Sequence, residues 1–159
     1  MISAEDALKK PLPQPDADSA AYWAALKEGR LLLQHCLACG HVQIYQQGLC
    51  RSCGSERLEH RAASGRGHVY SYSVVHRAPG PAFRGDTPYA VLLVELEEGP
   101  RMISSLIGAD PATVTFDLAV ELVCEAVSAD IALPRFRPAD RAIGEAVTSS
   151  SSRTPPTAA

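Results

Sequence analysis

The spacing of apolar residues changes once along this chain, close to residue 30. Before that point Tyr22, Trp23 and Leu26 are spaced to share one face of a helix. Asp18 or Ser19 precedes them and is suited to cap that helix. Beyond residue 30, apolar residues fall in short runs rich in valine, leucine and isoleucine, which are typical of strands. The pattern therefore predicts one N-terminal helix followed by a mainly β protein.

Seven runs predict strands, and two of the segments between them predict irregular structure. Residues 97–100, EEGP, predict a hairpin turn in which Glu97 and Glu98 are solvated. Residues 78–88 hold three prolines and two glycines and predict a long loop. Phe83, at the middle of this loop, either packs back locally or contacts a ligand or partner. The predicted helix spans residues 19–28, and the predicted strands are residues 30–34, 41–45, 65–77, 89–96, 101–107, 120–127 and 131–136.

Two CxxC pairs are the strongest chemical signal in the sequence. They are Cys36 with Cys39 and Cys50 with Cys53, and each pair is followed by glycine. A two-residue gap lets one tight turn direct both sulfurs at a single ion, and glycine allows the positive φ that such a turn often needs. Four thiolates complete a tetrahedral zinc site, so the sequence predicts one structural zinc in a compact ribbon.

The other histidine and cysteine side chains that could be considered are not expected to bind the metal. His35 and His41 flank the first pair, but four thiolates already complete the tetrahedron. Cys124 lies in a predicted strand whose alternation makes it a small inward-facing apolar residue. Four thiolates also hold one iron in rubredoxin, which leaves an electron carrier as an alternative.

Composition and charge limit the class of partner. The chain has 15 Lys+Arg against 18 Asp+Glu, a formal charge of -3 and a pI of about 5.9, so no strong field attracts nucleic acid or anionic lipid. The N-terminus lacks a basic start followed by an apolar run, and no apolar stretch is long enough to span a bilayer. We therefore expect a cytoplasmic protein without a membrane partner, in a reducing compartment.

Changes in composition and in predicted secondary structure divide the chain into four predicted parts. Residues 1–18 contain three prolines and several charges and predict an extended arm. Residues 19–63 hold the helix and the metal ribbon, with residues 59–63 leading out of it. Residues 64–140 hold five strands, which protect their edges best by curling into a small closed or half-open barrel. Residues 141–159 are low in complexity and predict a disordered tail.

An ordered set of motifs resembles a known protein family. The set consists of YWAALKEGRLLLQHCLACGHVQ, CRSCGS, SGRGHVYSYSVVHRAPGP, PYAVLLVELEEGPRMISSLIG and LPRFRPA, within residues 22–138. It is similar to the small proteins that join a rubredoxin-like zinc ribbon to an OB-fold and are associated with acyl-CoA and thiolase-type enzymes. The resemblance implies a mainly β fold with an N-terminal helix, a rubredoxin-like zinc ribbon and a five-stranded OB-fold barrel.

The resemblance also implies a role as a non-catalytic accessory subunit. Such a subunit binds a thiolase-like or lipid-transfer-type protein and helps to form the acyl-CoA site of a CoA-thioester thiolase, retro-aldolase or condensing complex in lipid, steroid side-chain or aromatic acid metabolism. A hetero-oligomer, built as a heterotetramer on a partner dimer, is the assembly it suggests. The residues agree with this, because the sequence shows no Ser/His/Asp or Cys/His constellation and no paired carboxylates at a shared site. A single-stranded nucleic-acid-binding OB-fold protein is the alternative, which the acidic charge and 6% aromatic content disfavour.

The residue types that suit CoA point to a small set of candidates. CoA carries phosphates and an adenine, which arginine forks and apolar surfaces can bind. A groove between the ribbon and the barrel is the expected place for a ligand. Two of the candidate arginines, Arg135 and Arg137, have an equally good interpretation as solvated strand residues. The candidates are Arg77, Phe83, Arg135, Phe136 and Arg137.

Trp23 is the candidate residue for a partner interface. It is the only tryptophan of the chain and lies on the apolar face of the predicted helix. Large aromatic residues of this kind either anchor a helix to its own domain or dock on another subunit. Both interpretations of Trp23 stay open at the level of sequence.

Overall fold

A computed structural model describes residues 10–139 of the protein. The predicted arm is therefore described only from Lys10 onward, and the predicted disordered tail, residues 141–159, lies outside the described residues. Within the described part, the elements are one α-helix, eight strands and two short 3-10 turns.

The first element is helix α1 (Ala20–Lys27), which the apolar spacing predicts. Its buried residues are Ala25 and Leu26. Ser19 occupies the N-cap position, but its side chain makes no capping bond to the helix. Asp16 instead accepts hydrogen bonds from the backbone N–H of Ser19 at 2.8 Å and from its hydroxyl at 2.6 Å. The turn before the helix is thus closed by Asp16.

The ribbon is a three-stranded antiparallel sheet formed by β1 (Leu32–Cys36), β2 (Val42–Gln43) and β3 (Leu58–Ala62), in the order β2-β1-β3. Strand β3 corrects the expectation that residues 59–63 only lead out of the ribbon. Its residues pair with the whole of β1, for example Arg61 opposite Leu33. Because most of β3 is exposed and polar, it lacks the apolar signature from which strands are predicted.

The second sheet has five antiparallel strands that curl into a near-closed barrel. Its ends meet through a parallel bridge between Leu106 and Phe136, and the Ile107 N–H donates to the Phe136 carbonyl at 2.8 Å. This confirms the predicted fold class of helix, zinc ribbon and OB-fold barrel. In sheet order the strands are β6 (Arg101–Ser105), β5 (Tyr89–Leu96), β4 (Arg66–Val75), β7 (Ala119–Ala126) and β8 (Ala132–Pro138).

One hydrophobic core serves both the ribbon and the barrel. Along β5, buried and half-buried residues alternate without exception, so one face of this central strand fills the barrel. Leu26 of the helix and Leu31 and Leu33 of the ribbon join the same cluster as the barrel residues. Among residues 10–139, Phe136 of β8 is the largest side chain that is fully buried. The ribbon is therefore packed against the barrel by apolar contacts and is not a separately packed unit.

The turn between β5 and β6 also holds the two modules together. The backbone N–H of Ser64, in the linker between β3 and β4, donates to Glu98 Oε1 at 2.6 Å. Arg66 Nε donates to Glu97 Oε1 at 3.0 Å. The expectation that Glu97 and Glu98 are only solvated turn residues is thus wrong for Glu98, whose other carboxylate oxygen is buried.

Candidate metal centre and ligand surface

The two CxxC pairs form matching turns that bring all four sulfurs together. In each turn a glycine N–H donates to the carbonyl of the first cysteine at 2.9 Å, Gly40 to Cys36 and Gly54 to Cys50. The φ angles of these glycines are 76° and 71°, a left-handed conformation that glycine adopts without strain. The turns therefore aim Cys36 and Cys50, with their partners, at a common point.

The sulfur positions fit one tetrahedral metal ion. Cys36 Sγ lies 3.6 Å from Cys53 Sγ, and Cys39 Sγ lies 3.7 Å from Cys50 Sγ. All four sulfurs are within 4.8 Å of one another. Zinc–sulfur bonds of about 2.3 Å in a tetrahedron require sulfurs about 3.8 Å apart, which matches these separations. The site suits a structural zinc, because four protein ligands leave no position for a substrate or a water molecule.

The sulfurs differ in how readily they ionise. Burial raises the pKa of Cys36, but the backbone N–H groups of Cys39 and Ala38 and the neighbouring thiols outweigh it and lower that pKa to about 6. For Cys53, the backbone N–H of Ser55 acts to lower the pKa, but the neighbouring sulfurs and burial together raise it to about 12. A divalent cation stabilises thiolates at all four positions, which is the condition for tetrahedral binding.

The other candidate ligands take no part in this cluster. Among residues 10–139, the group of His, Cys, Asp and Glu side chains close enough to share a metal ion consists of the four cysteines, without His35 or His41. Cys124 lies half-buried on β7 and packs against the core. Burial raises the pKa of its thiol, so Cys124 behaves as a small apolar residue.

Of the CoA candidates, Arg77 and Phe83 lie in the loop between β4 and β5. Arg77 is exposed and lines a cavity of about 410 Å³. Phe83 is half-buried in a 3-10 turn (Pro81–Phe83), and the Lys10 ammonium lies 5.9 Å from the centre of its ring. Phe83 therefore has a cation of the N-terminal arm as a neighbour, while Arg77 lines the cavity.

The three candidates on β8 alternate across the barrel wall. Arg135 Nε donates to Glu125 Oε2 at 3.0 Å, and Arg137 Nε donates to Glu121 Oε1 at 2.6 Å. Both arginines thus lie on the outer side of the sheet and are paired with carboxylates of β7. Phe136 between them is fully buried, which corrects the expectation that its ring contacts CoA. Its physical role is to fill the core where the barrel closes.

Trp23 lies at the boundary between core and solvent. Its side chain is half-buried and packs against the shared hydrophobic core. Its ring contacts that of Tyr22 edge to face, with 5.2 Å between the centroids. Burial raises the pKa of Tyr22. The position of Trp23 is compatible both with anchoring the helix and with presenting the rest of the ring to a partner.

A groove between the ribbon and the barrel adds residues that the sequence did not single out. It has a volume of about 390 Å³, and its walls come from β2 with the following segment and from the start of β6. Tyr45 and Arg51 lie on the ribbon side, and Arg101 lies on the barrel side, stacked 3.4 Å from the centre of the Tyr70 ring. These residues are distant in sequence, so only the packing of the two modules brings them together.

Comparison with known proteins assigns the two modules. One family model, described as the rubredoxin-like zinc ribbon domain of ChsH2, matches residues 23–59. A second, described as the C-terminal OB-fold domain of ChsH2, matches residues 60–125. In the described part of the chain, no helix is long and apolar enough to cross a membrane.

Curated relatives match the chain over most of its length. A probable enoyl-CoA hydratase alpha subunit of Thermomonospora curvata is 38% identical over 130 residues, which is 82% of this chain but 40% of that protein. This chain thus spans less than half the length of that relative. A DUF35 domain-containing scaffold protein of Methanocaldococcus jannaschii is 34% identical over 110 residues, 68% of this chain and 77% of that protein.

A solved structure shows that the similarity to this family extends to the three-dimensional fold. A chain of the structure entitled "Ltp2-ChsH2(DUF35) aldolase" is 38% identical, and the match has a TM-score of 0.71. It covers 80% of this chain and 98% of that chain. The resemblance stated from the sequence motifs is therefore confirmed, and the chain belongs to the ChsH2/DUF35 family of proteins that join a zinc ribbon to an OB-fold.

Proposed function

We propose that this protein is a non-catalytic accessory subunit that binds a thiolase-like or lipid-transfer-type protein and helps to form its acyl-CoA site. The zinc ion keeps the ribbon sheet folded, and the barrel supplies surface for the partner and the ligand. The reaction belongs to the partner and acts on a CoA thioester by thiolysis, retro-aldol cleavage or condensation.

The observation that carries this proposal is the match to a chain of the Ltp2-ChsH2(DUF35) aldolase. That match covers almost the whole of the compared chain, so the two proteins share both modules and their arrangement. Two relatives, a probable enoyl-CoA hydratase alpha subunit and a DUF35 domain-containing scaffold protein, carry names that describe members of assemblies. A shared arrangement of both modules supports a shared way of assembling with a partner.

The side chains of this protein support a role outside the chemical step. Within residues 10–139, the four-cysteine group is the one cluster of potential metal ligands, and its sulfurs fill a complete tetrahedron. His68 and Glu95 approach to 3.7 Å, but Glu95 is already paired with Arg101. We assign the nucleophile and the acid and base groups to the partner.

Trp23 and the helix are the proposed contact with the partner. A half-buried tryptophan offers a large apolar area at low entropic cost, which is typical of residues that dominate interfaces. The helix packs on β1, β7 and β8, so a partner bound there would contact ribbon and barrel together. A heterotetramer of two such chains on a partner dimer is the proposed stoichiometry.

Co-expression tests the assembly. The full chain and a thiolase-like or lipid-transfer-type protein encoded beside it are expressed together, with the tag on the partner only. We expect the two to co-elute in size-exclusion chromatography at a fixed ratio, and the mass measured by light scattering to fit two copies of each. Separate elution of two well-folded proteins would reject the proposal.

A further inference from the structure

The loop between β4 and β5 surrounds one cavity with positive charge. His76, Arg77 and Arg84 line this cavity of about 410 Å³ together with Thr87 and small loop residues. The side chains of His76, Arg77 and Arg84 are exposed. Three nitrogen-bearing side chains that can each donate hydrogen bonds therefore surround a space open to solvent.

This positive charge is not compensated within the described residues. Elsewhere on the barrel, Arg101 is paired with Glu95, Arg135 with Glu125 and Arg137 with Glu121. By contrast, between residues 10 and 139 neither Arg77 nor Arg84 forms an ion pair with a carboxylate. The single carboxylate of the loop, Asp86, is bound by Lys10 Nζ at 2.6 Å.

The loop that carries these side chains is held in place by its own backbone. The Arg84 N–H donates to the Pro81 carbonyl at 3.3 Å, and the Asp86 N–H donates to the Phe83 carbonyl at 3.1 Å. Pro79, Pro81 and Pro88 restrict the loop further, since proline fixes φ. Guanidinium groups on an ordered loop lose less conformational entropy when they bind a ligand.

We propose that this cavity is a phosphate-binding site, in which Arg77 and Arg84 hold phosphate oxygens and His76 and Thr87 complete the wall. Guanidinium groups match phosphate oxygens with paired hydrogen bonds, and uncompensated charge favours a dianion. The loop that follows the first strand of an OB-fold is also a common ligand-binding position of that fold. The groove between ribbon and barrel fits less well, because Glu95 neutralises Arg101 and leaves Arg51 as the single arginine of its lining without a carboxylate partner among residues 10–139.

The choice of ligand rests on the proposed function. CoA carries a diphosphate and a ribose 3′-phosphate, so a subunit that helps to form an acyl-CoA site is expected to meet both. The same chemistry would bind free diphosphate or a nucleotide. The experiment must therefore separate the phosphate part of CoA from its pantetheine part.

Calorimetric titration of the full, zinc-loaded chain provides this test. The probes are CoA, CoA lacking the 3′-phosphate, pantetheine and inorganic diphosphate. We expect CoA to bind and pantetheine to show no binding at millimolar concentration. Arg77→Gln and Arg84→Gln should each weaken CoA binding about tenfold, because each removes a charge-assisted contact, and the double variant should weaken it more than either.

The control is Arg57→Gln, which removes an exposed arginine of the ribbon that does not line the cavity and has no carboxylate partner among residues 10–139. It should bind CoA as the wild type does. Zinc content and the melting curve confirm that each variant is folded. Equal binding of CoA and diphosphate would support a phosphate site whose natural ligand is not CoA.

Two results would overturn the proposal. One is the failure of the folded wild-type chain to bind any phosphate-bearing probe at millimolar concentration. The other is unchanged CoA affinity in the Arg77→Gln, Arg84→Gln double variant. Neither result depends on whether the chain co-elutes with a partner, so the failure of this site is distinguishable from the failure of the accessory-subunit proposal.

Discussion

Glu98 Oε1 accepts a hydrogen bond from the backbone N–H of Ser64 at 2.6 Å. The two residues lie 34 positions apart, one in the turn between β5 and β6 and the other in the linker between ribbon and barrel. This bond fixes the direction in which the chain leaves the ribbon. It acts together with the shared hydrophobic core, so a polar contact and apolar contacts both hold the ribbon in place against the barrel.

Glu98→Ala should lower the free energy of unfolding by about 1–2 kcal/mol, because it leaves the Ser64 N–H without its charged acceptor. Glu98→Gln should cost less, since the amide oxygen still accepts a hydrogen bond. The control is Glu97→Ala, which breaks an exposed ion pair with Arg66 and should cost less than about 1 kcal/mol. Urea denaturation measures all three. Equal losses for Glu97→Ala and Glu98→Ala would show that the hydrogen bond from Ser64 to Glu98 stabilises the fold no more than an exposed ion pair does.

Gly67 of β4 pairs with β5 and leaves no room for a side chain. A Cβ atom at this position would overlap with the backbone carbonyl oxygen of Glu95, which cannot move without disturbing the sheet. Gly67→Ala should therefore lower the free energy of unfolding by about 2–3 kcal/mol. Gly85→Ala is the matched control, since nothing lies within 4 Å of its Cβ, and it should change stability by less than about 0.5 kcal/mol. A tolerated Gly67→Ala would mean that β4 and β5 are further apart than described.

The metal of the ribbon can be identified directly. We expect elemental analysis to find about one zinc per chain and the preparation to be colourless. A red protein containing iron would instead revive the electron-carrier alternative. Removal of zinc by a chelator should unfold the ribbon, because metal binding in small zinc modules contributes on the order of 10 kcal/mol to folding.

Cys39→Ser should abolish zinc binding, unfold the ribbon and prevent assembly with the partner. The reason is that the ribbon sheet has a strand, β3, that is mostly exposed and contributes little to the core. Cys124→Ala is the control, since Cys124 lies outside the four-cysteine cluster. An assembled Cys39→Ser complex that had lost only its turnover would contradict a structural role for the metal.

Trp23→Ala separates the two interpretations of this residue. Loss of the half-buried ring should lower the free energy of unfolding of the isolated chain by about 1–3 kcal/mol. If Trp23 also contacts the partner, association should weaken by more than about tenfold at a temperature where the variant is fully folded. Unchanged affinity under those conditions would leave Trp23 as a core residue only.

Local patterns were sufficient to predict the elements whose signal lies in adjacent residues. The spacing of Cys36, Cys39, Cys50 and Cys53 determines the metal cluster, because each pair sits in a self-contained turn. The alternation along β7 predicts that Leu122 and Cys124 face inward, and both side chains pack against the core. Such features depend on spacing within one segment and need no knowledge of distant contacts.

Features that depend on pairing between distant segments were not predicted. Strand β3 is held by β1, and Glu98 is held by Ser64, and neither relationship leaves a local signal. Phe136 is a different case. The alternation of Arg135, Phe136 and Arg137 already indicated that the ring faces inward when the arginines face outward, so its burial was available from the sequence.

The central proposal is that this protein supports a reaction performed by its partner. The most direct test measures turnover of a CoA thioester by the thiolase-like or lipid-transfer-type protein while the zinc-loaded chain is added in increasing amounts. We predict no turnover by this chain alone, little by the partner alone, and a saturable rise that ends at one chain per partner subunit. Full turnover by the partner alone, unchanged by this chain at any concentration, would contradict the account.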